Sequence, residues 1–518
     1  MSRLQERLGM LWLPALVVVA LAILGEPLLN PDGLEMSEVG RSLLGGGGGS
    51  DRWDLLYYPP LFPLLGGALR GLFGVGALVL PALLAAGLLV LPLAWFARAL
   101  SRDSAAGVLV ALTLISLAPV RFYGLLGEPR MVAALGIFAA WALLVAHLRR
   151  RESRQGMVWI GVLAGAVALT RPEGVVLGPL LVLFALWRSR ASGLRLAAGF
   201  SVVALPWLAA LSAAASRPTI SSRTWELAGV PLLSFLPVRP VVQLWGVGAD
   251  SRPLRELLAK LGPGEFRGES GPLDSLAALV GDLFSLLPLP LMLFAIVGVV
   301  ASFATLRRGT APTEGPAPLH LLIALAAAVA PAVAVTMTPV GRDVAMPFNN
   351  TIPVVLALVI FAAVGLSRVA TAVESHRATR RAVRGRGLQL RLALLLPLLV
   401  CGALKPYPAN PLFLPQSSDA GLAAAGWIAE QLDEGAAVAS TFASSPVVHL
   451  SEHPWEPLPS RWDGAVWEAP DHLLITAVDG AWPLNSPLLA EGERLEPVSL
   501  FVDDLGWALV LRRVASAR

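Results

Sequence analysis

The strongest constraint on this chain is a series of long apolar runs that carry almost no charge. Met10–Leu24, Val75–Phe96, Met131–Leu148, Leu286–Leu306, Leu319–Met337 and Thr351–Leu366 each reach or approach the roughly 20 residues a helix needs to cross a bilayer. Lipid offers the peptide group no hydrogen-bond partner. Each run must therefore satisfy its amides internally, which makes it a helix. Only 15% of residues are charged against 55% hydrophobic, where a soluble domain carries about a quarter charged. The expectation is an all-α polytopic membrane bundle. Length alone suggests about three domains, but one bundle accounts for the apolar part.

The basic residues are almost all Arg and gather in short connections: Arg98–Asp103, Arg149–Arg154, Arg188–Arg195, Arg307–Arg308 and Arg368–Arg391. Such loops face the cytoplasm. Their placement accounts for the pI near 9.7 and argues against a nucleic-acid partner. Threading the chain through them gives about eleven spans, near 8–25, 75–97, 105–120, 131–148, 157–170, 173–188, 195–215, 285–306, 319–337, 349–367 and 390–405. The pair 157–170 and 173–188 is also readable as one broken hairpin. No small-residue cleavage site follows the first apolar run, which reads as an uncleaved helix with a cytoplasmic N-terminus. The location expected is a bacterial inner membrane, with membrane lipids as surroundings. Cys401 is the only cysteine, so no intrachain disulfide is expected.

This topology leaves 26–74, 121–130, 217–284, 338–348 and 406–518 outside. The membrane domain is expected over 1–405. Its first outer loop, 26–74, is rich in acids and holds Leu61–Phe73, too short and too Gly/Pro-interrupted to span comfortably and suited to lying along the membrane surface. Gly45–Gly49 reads as a flexible tether. From about 418 the composition changes. An amphipathic stretch, Ala420–Leu432, precedes strand-like runs at Ala436–Ala439, His472–Thr476 and Ala508–Leu511. The 406–518 segment is expected to be a small extracytoplasmic C-terminal α/β domain.

The chemistry-bearing residues fall in the outer segments. Asn30-Pro31-Asp32-Gly33-Leu34-Glu35 follows the first span, Arg41-Ser42-Leu43-Leu44 comes shortly after, and Tyr57-Tyr58-Pro59-Pro60-Leu61 leads into the surface helix. Downstream come Gly127-Glu128-Pro129-Arg130, Thr170-Arg171-Pro172-Glu173-Gly174 and Gly341-Arg342-Asp343. In this order they resemble the membrane glycosyltransferases of the GT-C fold, in particular the dolichyl/polyprenyl-phosphate-mannose and aminoarabinose transferase superfamily. The resemblance covers about 400 residues, the membrane part, and the outer tail is compatible with it. Gly33 stands where many members have a second acid, and Tyr58 where many have Lys or Arg.

The resemblance implies transfer of a hexose or pentose from a polyprenyl-phosphate-linked donor to an acceptor (protein, lipid or glycan), with inversion at the anomeric carbon. It puts the catalytic Asp at Asp32, a base that would take the acceptor's proton. Capping of a helix beginning near Leu34 is the alternative role for that side chain. Glu128 is the second catalytic candidate, by binding acceptor or metal, or else a helix-start acid. Arg342 and Arg171 are expected to bind the departing phosphate, unless they merely snorkel. Glu35 and Tyr58 are weaker substrate-binding candidates. No cofactor is compelled; the resemblance allows a divalent metal, without a ligand cluster to hold it. Two other readings stay open. A transporter or flippase would favour charges in mid-span, and a non-catalytic scaffold would display its outer domain. His449-Leu450-Ser451-Glu452-His453 spells a zinc-protease motif, but Pro454 and the preceding apolar run suggest strand then turn.

Overall fold

A computed structural model describes residues 3–24, 27–45, 58–150, 154–171, 174–214, 272–307, 317–336, 351–375, 387–404, 419–433, 435–440, 445–457, 471–476, 493–502 and 507–515. Helix α1 (Arg3–Leu24) precedes α2 (Pro31–Leu43) and α3 (Leu61–Phe73). A 3₁₀ turn at Val75–Val79 opens α4 (Leu80–Leu88) and α5 (Val90–Ser101), followed by α6 (Ala106–Ser116) and α7 (Ala118–Leu125). Next come α8 (Arg130–Arg150), α9 (Arg154–Ala168), α10 (Gly174–Arg188) and α11 (Arg190–Ala214). The bundle ends with α12 (Pro272–Leu286), α13 (Leu289–Arg307), α14 (Pro318–Thr336), α15 (Ile352–Ser375) and α16 (Gly387–Leu404).

Every span expected from the apolar runs falls on a helix. Among the described residues five helical stretches are long and apolar enough to cross a membrane, or six if the bent pair α6–α7 counts as one. The protein is a multi-pass membrane protein. Its shared core includes Leu21, Phe96, Leu114, Phe138, Trp141 and Ile360. With lipid outside, burying apolar surface gives helices no reason to prefer one another, so close backbone packing has to do so. Gly298 of α13 lies against the Phe361 carbonyl, and Gly365 of α15 against that of Phe294; a Cβ at either would overlap the oxygen. Gly161 of α9 and Gly199 of α11 meet the Leu196 and Val158 carbonyls in the same reciprocal way.

Two local expectations are corrected. The span expected over 105–120 breaks at Leu117, with a 74° bend between α6 and α7. Pro119 has no N–H to give the Ile115 carbonyl, so the helical ladder cannot continue. Arg121 takes over, donating from Nη1 to the Ser116 carbonyl at 3.1 Å and the Ile115 carbonyl at 3.5 Å. Over 157–188 the two expected spans fall on two helices, α9 and α10, and Gly174 at the start of α10 lies against the Val167 carbonyl. The span expected from 285 falls on α13, which starts at Leu289, and a separate helix, α12, precedes it from Pro272 within the segment expected as the outer loop 217–284.

The C-terminal domain is α/β as expected. It comprises α17 (Asp419–Gln431), β1 (Val438–Ser440), α18 (Ser445–Leu450), β2 (Trp455–Pro457), β3 (His472–Thr476), β4 (Glu493–Val502) and β5 (Trp507–Ala515). The sheet order is β2-β1-β3-β5-β4, with β1 parallel to β2 and β3, and β5 antiparallel to β3 and β4. Ala424, Ile428, Val438, Val448, Leu474 and Val510 form its core. The strand expected before His449 is instead the short helix α18. Pro446 suits a first helical turn, where its missing N–H costs nothing. The helix stops at Leu450, so His453 is not on it and the zinc-protease geometry is not formed.

Candidate active site

The segment after α1 is built onto the start of α8. After α1 the chain runs beside residues 125–127: the Leu28 amide donates to the Leu125 carbonyl at 3.0 Å, and the Gly127 amide to the Leu28 carbonyl at 3.1 Å. Helix α2 then starts at Pro31, with the Leu34 amide donating to the Asn30 carbonyl at 2.9 Å. A proline at the first helical position is pre-set for that geometry. Asp32 therefore lies inside the first turn of α2, one residue after its start, rather than capping a helix that begins at Leu34. The helix dipole favours an acid there. Gly33 packs on the Gly127 carbonyl, where a Cβ would overlap the oxygen. A second acid has no room at this position. The side chains of Asp32 and Glu35 lie outside the described residues, as does the whole of Arg342.

Glu128 is brought to this loop directly. Its side chain is 2% exposed, and Oε2 accepts from Asn30 Nδ2 at 2.7 Å and from Arg130 Nη1. The Arg130 guanidinium also sits over the Tyr123 ring, 5.6 Å from its centroid. A cation in the first turn of a helix faces the positive end of the dipole. Arg130 is held there by Glu128, and that mismatch of charge and position is the signal by which the sequence could have singled it out. Asn30, quoted in the motif but not among the candidates, has the same standing: it ties Glu128 to the residue before α2.

Arg130 and Arg171 line one cleft of about 470 Å³, part of it open to solvent. Its other walls include Ile137 of α8, Ala328 and Ala332 of α14, and Ile352 and Pro353 of α15. Arg171 is half-buried, at the end of a turn fixed by bonds from the Arg171 amide to the Val167 carbonyl and from the Gly174 amide to the Arg171 carbonyl. Arg342 belongs to the segment 337–350 that joins α14 to α15, both of which line this cleft. Tyr58 is 5% exposed. It stands just before Pro59-Pro60, where the Leu61 amide donates to the Leu169 carbonyl at 2.8 Å, seating α3 beside the Arg171 turn. The structure thus gathers Glu128, Arg171 and Tyr58 and the backbone of Asp32 at one end of the bundle. Among the described residues no three His, Cys, Asp or Glu side chains are grouped to hold a metal ion.

No protein-family model and no curated protein sequence matches the chain. Solved structures do. ArnT from Cupriavidus metallidurans, bound to undecaprenyl phosphate, superposes with a TM-score of 0.51 at 15% identity, over 98% of each chain. The protein has the GT-C fold. The oligosaccharyltransferase AglB from Archaeoglobus fulgidus, in complex with an inhibitory peptide and a dolichol-phosphate, gives a TM-score of 0.50 at 14% identity over 88% of this chain. The present chain spans 65% of that GT-C protein's length. Coverage of ArnT from end to end includes the small C-terminal sheet, so the GT-C likeness is to a bundle with its appended domain and not to the helices alone.

Proposed function

We propose that this GT-C protein transfers a sugar from a polyprenyl-phosphate-linked donor to an acceptor on the extracytoplasmic side of the membrane. The observation that carries the reading is the two-arginine cleft. Arg130 and Arg171 present positive charge to a space bounded by membrane helices, and Glu128 and Asn30 connect that space to the turn bearing Asp32. Two solved structures with the fold were determined with undecaprenyl phosphate and with a dolichol-phosphate. A lipid phosphate entering from the bilayer suits a cleft whose lining is mostly Ala, Ile, Val and Pro.

In this reading Asp32 is the general base. It accepts the proton of the acceptor's hydroxyl or amine as that atom bonds to the anomeric carbon, and the bond from this carbon to the phosphate oxygen breaks with inversion. The polyprenyl phosphate departs with a negative charge that Arg171, Arg342 and Arg130 stabilise by charge-assisted hydrogen bonds. Glu128 belongs to the site as the carboxylate that holds Arg130 at the cleft wall. Glu35, one turn along α2 from Asp32, and Tyr58 are proposed to contact sugar or acceptor. The acceptor is a protein, lipid or glycan. A divalent metal would be an addition to this arrangement, because the fixed guanidinium groups already supply cationic charge.

The test uses the full chain in lipid nanodiscs with a panel of polyprenyl-phosphate-linked sugars and a membrane extract as acceptor source, reading polyprenyl phosphate release by mass spectrometry. Wild type should release it, and Asp32→Asn should lose roughly 100- to 10,000-fold in rate while still binding undecaprenyl phosphate. Solute flux in proteoliposomes without any sugar transfer, or an Asp32→Asn variant at full rate, would overturn the reading.

A further inference from the structure

The C-terminal domain touches the acid-bearing helix through a contact for which the proposed chemistry has no use. Helix α18 lays its end on α2. Leu450 packs against Leu29, Leu34 and Leu78, and Leu29 and Leu34 bracket Asp32 in the chain. Next to this small core, Arg70 of α3 joins three elements. Its Nη1 pairs with Glu38 Oε1 at 2.6 Å and donates to Ser37 Oγ at 3.1 Å, both on α2. Its Nη2 lies 3.4 Å from His449 Nδ1 of α18. A guanidinium only donates, so this contact requires a neutral imidazole with its proton on the other nitrogen. Burial, with Arg70 adding to it, lowers the His449 pKa to about 3, which keeps the ring neutral throughout the physiological range.

These contacts all end on one short helix. The C-terminal half of α2 is held by α3, where Gly40 meets the Pro63 carbonyl and Gly67 meets Gly40. Its N-terminal half is held by the Leu29–Leu34–Leu78 core that Leu450 completes. We propose that α18 is a positioning element of the active site: His449, through Arg70, and Leu450, through Leu29 and Leu34, set the first turn of α2 and hence the placement of Asp32. A misplacement of about 1 Å at a reacting group costs on the order of a hundredfold in rate, so a domain lying outside the bundle governs turnover without touching substrate. The effect on rate rests on the glycosyltransferase reading; the docking of α18 on α2 does not.

The experiment takes the full chain in nanodiscs and compares wild type with His449→Lys, which sets a second cation against Arg70, with Leu450→Ala, and with His449→Asn, whose amide oxygen restores an acceptor. Hydrogen exchange is followed across residues 31–43 and across β3 and β5, together with kcat and donor KM. His449→Lys and Leu450→Ala should speed exchange in 31–43 and lower kcat about tenfold or more, with donor KM within about twofold of wild type. Exchange in β3 and β5 should stay unchanged, and His449→Asn should recover both properties. Wild-type exchange across 31–43 in both disrupting variants overturns the proposal, and so does faster exchange with unchanged kcat. Should His449→Lys also loosen β3 and β5, Leu450→Ala decides between these outcomes. If wild type transfers no sugar, the functional reading fails by itself, and the exchange data still decide whether α18 sets α2.

Discussion

Glu128 and Arg130 are buried together, and neither can be removed alone without stranding the other's charge. Taking one partner from such a pair costs about 3–5 kcal/mol. Glu128→Ala should therefore lower stability by that order in thermal unfolding of the detergent-solubilised protein. Glu128→Gln, which keeps an acceptor for Asn30 and Arg130, should cost less. This pair also shows how far single residues are legible. Glu128 is legible in the sequence through the resemblance, because Gly127-Glu128-Pro129-Arg130 opens a span where the resembled family commonly has an acid. Arg130 is passed over because arginines at membrane boundaries usually need no explanation; its significance lies in which wall it faces. Gly33 is the reverse case. In sequence it is only a missing acid, whereas in the fold it is the one residue able to approach the Gly127 carbonyl.

At the scale of elements, the α6–α7 bend replaces backbone hydrogen bonds with a side chain. Arg121 serves carbonyls that Pro119 leaves open, so the two residues should be coupled. Arg121→Ala should destabilise by about 1–3 kcal/mol, the cost of leaving buried acceptors unmet. The same change in a Pro119→Ala background should cost less, because an alanine amide can complete the Ile115 bond. A double-mutant cycle read by chemical unfolding measures the difference, and additive effects would show that the two residues act separately. The helices themselves were legible because apolar composition and length decide them, and Leu61–Phe73 and His472–Thr476 were located to the residue. The bend and α18 were not, because each depends on how one proline is used: Pro119 interrupts a helix and Pro446 begins one.

Over the whole molecule, the arginine-rich connections are more than topology signals. Arg391 of α16 donates to Asp103 at 2.8 Å and to Glu374 of α15 at 2.9 Å, tying three elements at one end of the bundle. If this end is cytoplasmic, a fluorescent-protein fusion within 376–386 should be bright, and an alkaline phosphatase fused after residue 518 should be active; the reverse pattern would invert the orientation. The C-terminal domain adds a pH dependence at the other end. His449 titrates near 6.5 when exposed and near 3 when docked. Its neighbours are Arg70 of α3, Glu38 of α2 paired to that arginine, and Glu452, whose charge acts on Arg70. Because the folded pKa is depressed, the contribution is whole above about pH 6.5 and is lost as pH falls toward 3, with a slope of at most about 1.4 kcal/mol per pH unit. Unfolding midpoints between pH 7 and 4 should drop more steeply for wild type than for His449→Asn. The sequence by itself determined that the chain lives in a membrane as a helical bundle with a small α/β domain, because length, charge and hydropathy act locally and need no partner. Only the tertiary structure decided that Arg130 shares a cleft with Arg171 and that α18 rests on α2. Those contacts join residues tens to hundreds of positions apart, and no local preference encodes which surfaces will meet.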